Sequence, residues 1–157
     1  GNLIFGTKEE TEDDEIDRAL TADIDPLSPG MECWATGYFC SSDGNPIGFD
    51  PPPLNGLVWW DADRLREIES RGTVYKWRGP VLTENIMGRT QAWADILGDW
   101  REEIITFSNG ELRIYTTIIP AEDKRACLMQ DPIYRLVVAF KAMVYDLPPM
   151  TSFYLGE

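Results

Sequence analysis

One segment organises the whole chain: Trp93-Ala94-Asp95-Ile96-Leu97-Gly98-Asp99-Trp100-Arg101-Glu102-Glu103. It places two aspartates around a glycine and runs into Ile104-Ile105-Thr106-Phe107, an apolar run that favours a β-strand. The few residues between Asp95 and Asp99 suit a tight turn. The stretch therefore predicts a carboxylate-rich loop that leads into a strand. Such oxygen ligands suit calcium, and the alternative is a turn with its acidic side chains in water.

A second stretch repeats the pattern. Thr21-Ala22-Asp23-Ile24-Asp25-Pro26-Leu27-Ser28-Pro29-Gly30-Met31-Glu32 contains the same Ala-Asp-Ile, followed by another aspartate, a glycine and a glutamate. It also leads into an aromatic run, Cys33-Trp34-Ala35. A repeated unit of loop and strand indicates a modular β architecture. We find no third copy in the sequence.

Length and composition favour one domain or a piece of a larger one. The chain has 157 residues, and its 43% hydrophobic content is enough to build a core. Eleven prolines and thirteen glycines predict many turns and short elements, without long helices. The β-like opening Leu3-Ile4-Phe5-Gly6 leads us to expect a missing upstream portion. We identify no signal peptide and no membrane span.

The net charge of the chain limits the classes of molecule that it can bind. Fourteen basic residues stand against 27 acidic ones, for a net charge of −13. This charge repels nucleic acid phosphates and anionic lipid, so we expect neither as a partner. A polyanionic substrate would need local cations or metal ions to hold it. The acidic run at residues 9–18 predicts a solvated loop, and the alternative is that some of its carboxylates approach a metal.

Histidine is absent, which excludes Ser-His-Asp and Cys-His catalysis and histidine-rich zinc sites. The three cysteines, Cys33, Cys40 and Cys127, do not have metal-site spacing. Cys33 and Cys40 either pair across a hairpin or remain buried free thiols.

The remaining elements are short. Asn109-Gly110, the preferred pair of a type I′ turn, predicts a hairpin between residues 103–108 and 111–117. The apolar segment 136–143 suits a strand or a helix. Further strands are predicted at residues 31–36, 57–60 and 73–77, with an irregular segment at 41–56. Short antiparallel strands of this kind form a sandwich, a barrel or a propeller.

Several longer motifs resemble one family. In chain order they are Ala22 to Glu32, Leu57 to Asp63, Asp95 to Glu103, Leu112 to Pro120, Leu128 to Arg135, and Pro148-Pro149 with Phe153 to Gly156. Together they resemble the C-terminal part of rhamnogalacturonan lyases of polysaccharide lyase family eleven. The resemblance covers nearly the whole chain, and several long motifs in the right order are more specific than one short signature.

The resemblance implies an all-β fold of antiparallel blades from a β-propeller of roughly eight blades. Only its C-terminal blades would be present, the first at residues 1–80 and the second at residues 81–157. It also implies calcium as cofactor and β-elimination of the bond between galacturonate and rhamnose in pectin. The partner would be an acidic plant-type polysaccharide, and the full-length protein would be secreted or periplasmic.

The resemblance also implies site residues. Arg18 precedes the Ala-Asp-Ile-Asp-Pro motif, where the family has a basic residue, and would grip the uronate. The alternative is a surface arginine paired within its own acidic run. Carboxylates of the kind that hold calcium in the family are Asp23, Asp25, Glu32, Asp95 and Asp99. For Asp95 and Asp99 the alternative is that they accept backbone N–H bonds in a turn.

The chain departs from the family at three points. Where the family has Asn-Gly-Thr-Lys, this chain has Asn85-Ile86-Met87-Gly88-Arg89-Thr90, so Arg89 is the nearest substitute for the lysine base. An arginine is a poor proton acceptor, because its guanidinium is almost never deprotonated. Gln130 and Met150 replace histidines of the family. Two functions follow: a lyase fragment, or a carbohydrate-binding or scaffold propeller that has lost the base.

Overall fold

The computed structural model describes residues 2–3, 5–6, 18–121, 123–141 and 147–156. These residues form three antiparallel sheets in which strands adjacent in the chain pair with one another. The first sheet contains β1 (Ala19–Ala22), β2 (Glu32–Ala35) and β3 (Tyr38–Cys40). The second contains β4 (Gly56–Val58), β5 (Glu67–Ser70), β6 (Thr73–Tyr75) and β7 (Val81–Thr83). The third contains β8 (Arg89–Ala94), β9 (Glu103–Ser108) and β10 (Glu111–Tyr115).

The predicted hairpin is confirmed. Ser108 pairs with Glu111 across Asn109-Gly110, and both turn residues have positive φ, as a type I′ turn requires. The strands predicted at residues 31–36, 57–60 and 73–77 are present as β2, β4 and β6, each shorter than predicted. Residues 41–55 are irregular apart from one bridge between Cys40 and Pro46.

The described part of the apolar segment 136–143 is helical, so the strand alternative was wrong there; residues 142–143 lie outside the described residues. Helix α1 spans Pro132–Phe140, and a 3₁₀ turn at Leu128–Gln130 precedes it. The Asp131 carboxylate caps the helix by accepting the N–H groups of Ile133 (2.8 Å) and Tyr134 (3.5 Å). Among the described residues, no helix is both long and apolar enough to span a lipid bilayer.

The cysteines are free thiols. Cys33 and Cys40 lie opposite each other on β2 and β3 but form no disulfide. Cys127 is a free thiol as well. Of the two alternatives, free thiols are therefore what the structure contains. Most of the acidic run, residues 9–17, lies outside the described residues.

The three sheets stack in chain order. One core cluster joins residues of the first sheet, including Trp34, to Leu57 and Ile68 of the second sheet. Another joins Val58 and neighbouring residues of the second sheet to Ile104 of the third. Because successive residues of a strand point to opposite faces, Leu57 and Val58 of β4 contact different neighbours. The second sheet is therefore packed between the other two.

The first strand of each sheet leads into an acidic loop, named here the Asp23 loop (residues 23–31), the Asp61 loop (59–66) and the Asp95 loop (95–102). Each second strand then begins with a buried glutamate whose carboxylate accepts backbone N–H groups of its loop. Glu32 accepts from Ile24 and Asp25, Glu67 from Trp60, and Glu103 from Ile96 and Leu97. The Asp61 loop is therefore a third copy of the unit in the structure, one that the repeated sequence pattern did not show.

Neighbouring loops are joined in an equivalent way. The backbone N–H of Arg66 donates to the carbonyl of Asp23 at 2.8 Å, and that of Glu102 donates to the carbonyl of Trp59 at 2.9 Å. Arg66 and Glu102 both precede the buried glutamate of their sheet. The first and second sheets are thus related much as the second and third are.

A C-terminal layer covers the acidic loops. Trp59 and Trp100 of the loops pack with Leu128, Tyr134 and Leu155. The Tyr134 hydroxyl donates to Glu102 at 2.7 Å and accepts the Asp95 backbone N–H at 2.9 Å. The C-terminal layer thus packs against the acidic loops of this end of the stack.

Candidate functional site

A cleft of about 580 Å³ lies where the first strands of the sheets begin. Arg18 lies just before β1, Gly56 begins β4, and Arg89 begins β8. Arg71, on the turn between β5 and β6, adds a third arginine. The remaining lining residues are Asn55, Glu69, Gly72, Ile86, Gly88, Thr90 and Trp93. We call this the arginine cleft. It brings together Arg18 and Arg89, the two residues that the family resemblance implied at the substrate.

The arginine cleft is a local concentration of positive charge on a chain with net charge −13. One guanidinium N–H of Arg18 donates to the carbonyl of Leu54 at 2.9 Å. Within the described residues, the guanidinium groups of Arg71 and Arg89 have no hydrogen bond, ion pair or ring contact. Other arginines form ion pairs with carboxylates: Arg64, Arg66, Arg101, Arg113 and Arg125. Among the described residues, the cleft therefore offers an anion two guanidinium groups, those of Arg71 and Arg89, that have no other partner.

Backbone turns fix the wall of the cleft. Arg71 and Gly72 have φ of 53° and 79° and form the tight turn between β5 and β6. The carbonyl of Gly72 accepts the N–H of Ile86 at 3.0 Å, and a Cβ at Gly72 would lie 2.3 Å from the carbonyl oxygen of Ile86. Only glycine permits this close approach. The turn is thus held against the segment that leads into β8.

The Asp95 carboxylate lies at the other end of β8 and binds backbone. One oxygen accepts the N–H of Gly98 at 2.7 Å, and the other accepts those of Trp100 (3.1 Å) and Leu128 (2.6 Å). Asp99 accepts the N–H of Arg101 and forms an ion pair with its guanidinium. These are the turn hydrogen bonds that we gave as the alternative to calcium binding by Asp95 and Asp99. Backbone N–H groups thus donate to both Asp95 oxygens.

The carboxylates of the Asp23 loop are also held by protein groups. Asp25 accepts the N–H of Leu27 at 2.9 Å, and Asp23 accepts the hydroxyl of Tyr154. Glu32 has one buried oxygen without a partner among the described residues. Burial raises the pKa of Glu32. Each of the three carboxylates thus accepts at least one hydrogen bond from the protein, and calcium at this loop stays a prediction.

The two groups of implied site residues are separated by the length of a strand. β8 begins at Arg89 and ends just before Asp95, and β1 lies between Arg18 and Asp23. At roughly 3.3 Å per residue, the Cα atoms of Asp23 and Asp95 lie about 15 to 20 Å from those of Arg18 and Arg89. The carboxylates and the arginines therefore belong to opposite ends of their strands. Calcium at these loops stays a prediction, and its role there would be structural.

The Asp61 loop carries the closest group of carboxylates in the described part of the chain. Ligand atoms of Asp61, Asp63 and Glu67 lie within 4.8 Å of one another. The ammonium of Lys76 lies 2.6 Å from Asp61, 2.5 Å from Asp63 and 3.2 Å from Glu67. Burial raises the pKa of Glu67 to about 8. Burial opposes the charge of Lys76, yet hydrogen bonds to Asp61 and Asp63 raise its pKa. A lysine therefore occupies the position that a cation would take.

Comparisons with known proteins agree with this organisation. The family model described as rhamnogalacturonan lyase family 11, C-terminal domain, matches residues 1–157. The chain is 40% identical over 159 aligned residues to rhamnogalacturonan endolyase YesW of Bacillus subtilis, covering 91% of this chain and 26% of YesW. It is 31% identical to rhamnogalacturonan exolyase YesX of the same organism, covering 99% of this chain and 30% of YesX.

Solved structures also match. The crystal structure of the exotype lyase YesX superposes with a TM-score of 0.79 at 32% identity, covering 98% of this chain and 30% of that one. The structure of YesW gives a TM-score of 0.76 at 41% identity, covering 88% of this chain and 27% of that one. The chain thus spans less than a third of the length of these relatives. Sequence and structure together show that it belongs to the C-terminal domain family of family 11 rhamnogalacturonan lyases.

Proposed function

We propose that this chain contributes the uronate-binding part of the active site of a rhamnogalacturonan lyase. The observation that carries the proposal is the arginine cleft, which gathers Arg18, Arg71 and Arg89 in a strongly acidic protein. Its volume of about 580 Å³ is typical of a ligand site. The relatives' names supply the substrate class: YesW and YesX are rhamnogalacturonan lyases.

The proposed reaction is β-elimination. The proton next to a uronate carboxylate leaves more easily when the carboxylate charge is neutralised, because the developing negative charge spreads onto it. A guanidinium does this well, since its planar fork donates two hydrogen bonds to one carboxylate. Loss of the C5 proton to a base forms the C4–C5 double bond of the uronate ring while the C4–O bond breaks. The next sugar leaves with that oxygen and its electron pair, and the oxygen takes a proton from water to become a hydroxyl. Arg18 and Arg89 are the proposed carboxylate ligands.

The proton acceptor is the part of the reaction that these residues do not provide. The described lining of the cleft contains neither lysine nor histidine, and arginine stays protonated at neutral pH. Arg89 is therefore proposed to bind the carboxylate, although it stands where the family has the lysine base. Calcium remains a proposed structural cofactor of the acidic loops, and no step of the reaction depends on it here.

We further propose that the three sheets are three blades of a β-propeller, where the resemblance led us to expect two, at residues 1–80 and 81–157. Two observations support this: strands adjacent in the chain pair within each sheet, and the hydrogen bond from Arg66 to Asp23 recurs between Glu102 and Trp59. A constant relation between successive sheets is the property from which a radial array is built. Three blades cannot close a ring, which fits a chain that spans less than a third of its relatives.

The test is an elimination assay on the longest available form of the protein. Rhamnogalacturonan is incubated with the wild type, with Arg89→Gln and with Arg78→Gln, and ultraviolet absorbance records the new unsaturated uronate. We expect product from the wild type and from Arg78→Gln, whose side chain lies over Phe49 outside the cleft. Removal of Arg89 is expected to lower the rate at least about tenfold. Absence of product from the wild type contradicts lyase activity.

A carbohydrate-binding protein without catalysis is the second candidate. The absence of lysine and histidine from the described lining of the cleft favours it. It predicts that the wild type binds rhamnogalacturonan oligosaccharides and releases no unsaturated product. The same assay, together with calorimetric titration of the oligosaccharide, separates the two functions.

A further inference from the structure

We infer that Arg71 is a third carboxylate-binding residue of the arginine cleft, and that Glu69 positions it. The inference rests on the proposed function and deepens it, because it adds a specificity-determining residue that neither the family motifs nor the relatives' names indicate. The ligand class is an acidic oligosaccharide with more than one uronate.

The first line of evidence is the state of the Arg71 side chain. Arg71 is exposed, lines the cleft and has no partner among the described residues. Arg78 provides the comparison within the same sheet. It has nearly the same backbone conformation, with φ of 54° against 53°, but its guanidinium lies over the Phe49 ring at 3.9 Å. The turn conformation alone therefore does not account for an unpartnered arginine in the cleft.

The second line of evidence is a set of bonds that fixes Arg71 relative to Arg89. Glu69 is only 5% exposed, and one of its oxygens accepts the N–H of Gly72 at 3.2 Å. Its other oxygen accepts the hydroxyl of Thr90 at 3.3 Å. Gly72 follows Arg71, and Thr90 follows Arg89. One buried carboxylate thus holds the two segments that carry the unpartnered arginines.

The third line of evidence is charge. Glu69 forms no ion pair with any arginine among the described residues, and it is one carboxylate against three arginines in the described lining of the cleft. Guanidinium groups that share a cleft repel each other, and an anion bound between them lowers that repulsion. A saccharide whose uronates recur along the chain can supply a carboxylate to each. We infer that Arg71 binds a different uronate from the one at Arg18 and Arg89.

The test is calorimetric titration of a rhamnogalacturonan oligosaccharide with two uronates into the full chain. Arg71→Gln is compared with Arg78→Gln, which makes the same charge change on the next turn of the same sheet. We expect Arg71→Gln to weaken binding at least about tenfold and Arg78→Gln to leave it unchanged. With a carboxyl-reduced oligosaccharide, the wild type and Arg71→Gln should bind equally weakly. If the role of Arg71 were merely structural, Arg71→Gln would weaken binding of the carboxyl-reduced oligosaccharide as well.

The positioning role has its own readout. Glu69→Ala should weaken binding although Arg71 is intact, and Glu69→Gln should restore at least part of the affinity because the amide oxygen still accepts a backbone N–H. Wild-type affinity in Arg71→Gln, together with loss of binding in Arg89→Gln, would overturn this inference and leave the proposed function standing. No binding of the oligosaccharide to the wild type would overturn both.

Discussion

Replacing Asp95 by alanine tests how the acidic loops support the fold. The fully buried Asp95 carboxylate accepts three backbone N–H groups, those of Gly98, Trp100 and Leu128. Alanine leaves all three donors without their acceptor. Each unsatisfied buried donor costs about 1 to 3 kcal/mol, and entry of water lowers the sum. We expect the free energy of unfolding to fall by about 3 to 5 kcal/mol, a large part of the typical 5 to 15 kcal/mol.

The assay is urea denaturation followed by tryptophan fluorescence, since Trp93 precedes the loop and Trp100 lies within it. Asp95→Asn should lose less stability than Asp95→Ala, because its amide oxygen still accepts hydrogen bonds. Asp43→Ala is the matched control: Asp43 lies on an exposed turn and bonds to Ser41 and Asn45. A loss below about 1 kcal/mol in Asp95→Ala, similar to that of Asp43→Ala, would refute the reasoning.

Two further variants test the buried carboxylates. The pKa of Glu67, about 8 against an ordinary 4.5, lies above its unfolded value, so the stability it contributes at low pH is lost as the pH rises from 4.5 to 8. Glu67→Gln should therefore lose less stability than the wild type between pH 5 and pH 8. Melting temperatures that fall equally in both proteins over this pH range would contradict this. Tyr134→Phe removes the hydroxyl shared by Glu102 and Asp95, and should cost about 1 to 3 kcal/mol in urea denaturation. An unchanged unfolding midpoint would show that this hydroxyl does not tie the helix to the loop.

Local chemistry made part of the fold predictable. Asn109-Gly110 specifies its hairpin through backbone conformations that few other residues adopt. The repeat of Ala-Asp-Ile identified two acidic loops correctly. The Asp61 loop escaped because its order of residues differs and its glutamate, Glu67, follows after fewer residues. The equivalence is in the hydrogen bond to Trp60, and not in a shared string of letters.

The helix was predictable from its start. Asp131-Pro132 combines a side-chain cap with proline at the first helical position, and both indicate a helix N-terminus. The apolar run over residues 136–143 by itself suits a strand or a helix, and only the preceding pair decides for the helix. Partly exposed positions such as Leu136 gave no clear period from which to decide between strand and helix.

The candidate site was predictable only in part. The resemblance pointed to Arg18 and Arg89, and the structure places both in one cleft. Arg71 could not be found from local sequence, because its place in the cleft depends on packing of the turn between β5 and β6 against the segment before β8. The sequence also did not reveal that the acidic loops lie at the opposite end of the strands from the arginines.

The most direct test of the central claim is an NMR titration that follows the arginine side-chain N–H signals of the isotope-labelled chain. A rhamnogalacturonan oligosaccharide is added at constant salt concentration. Our account predicts that the signals of Arg18, Arg71 and Arg89 shift together while that of Arg78 does not. Shifts confined to the acidic loops, or unchanged signals from all three arginines of the cleft, would contradict it.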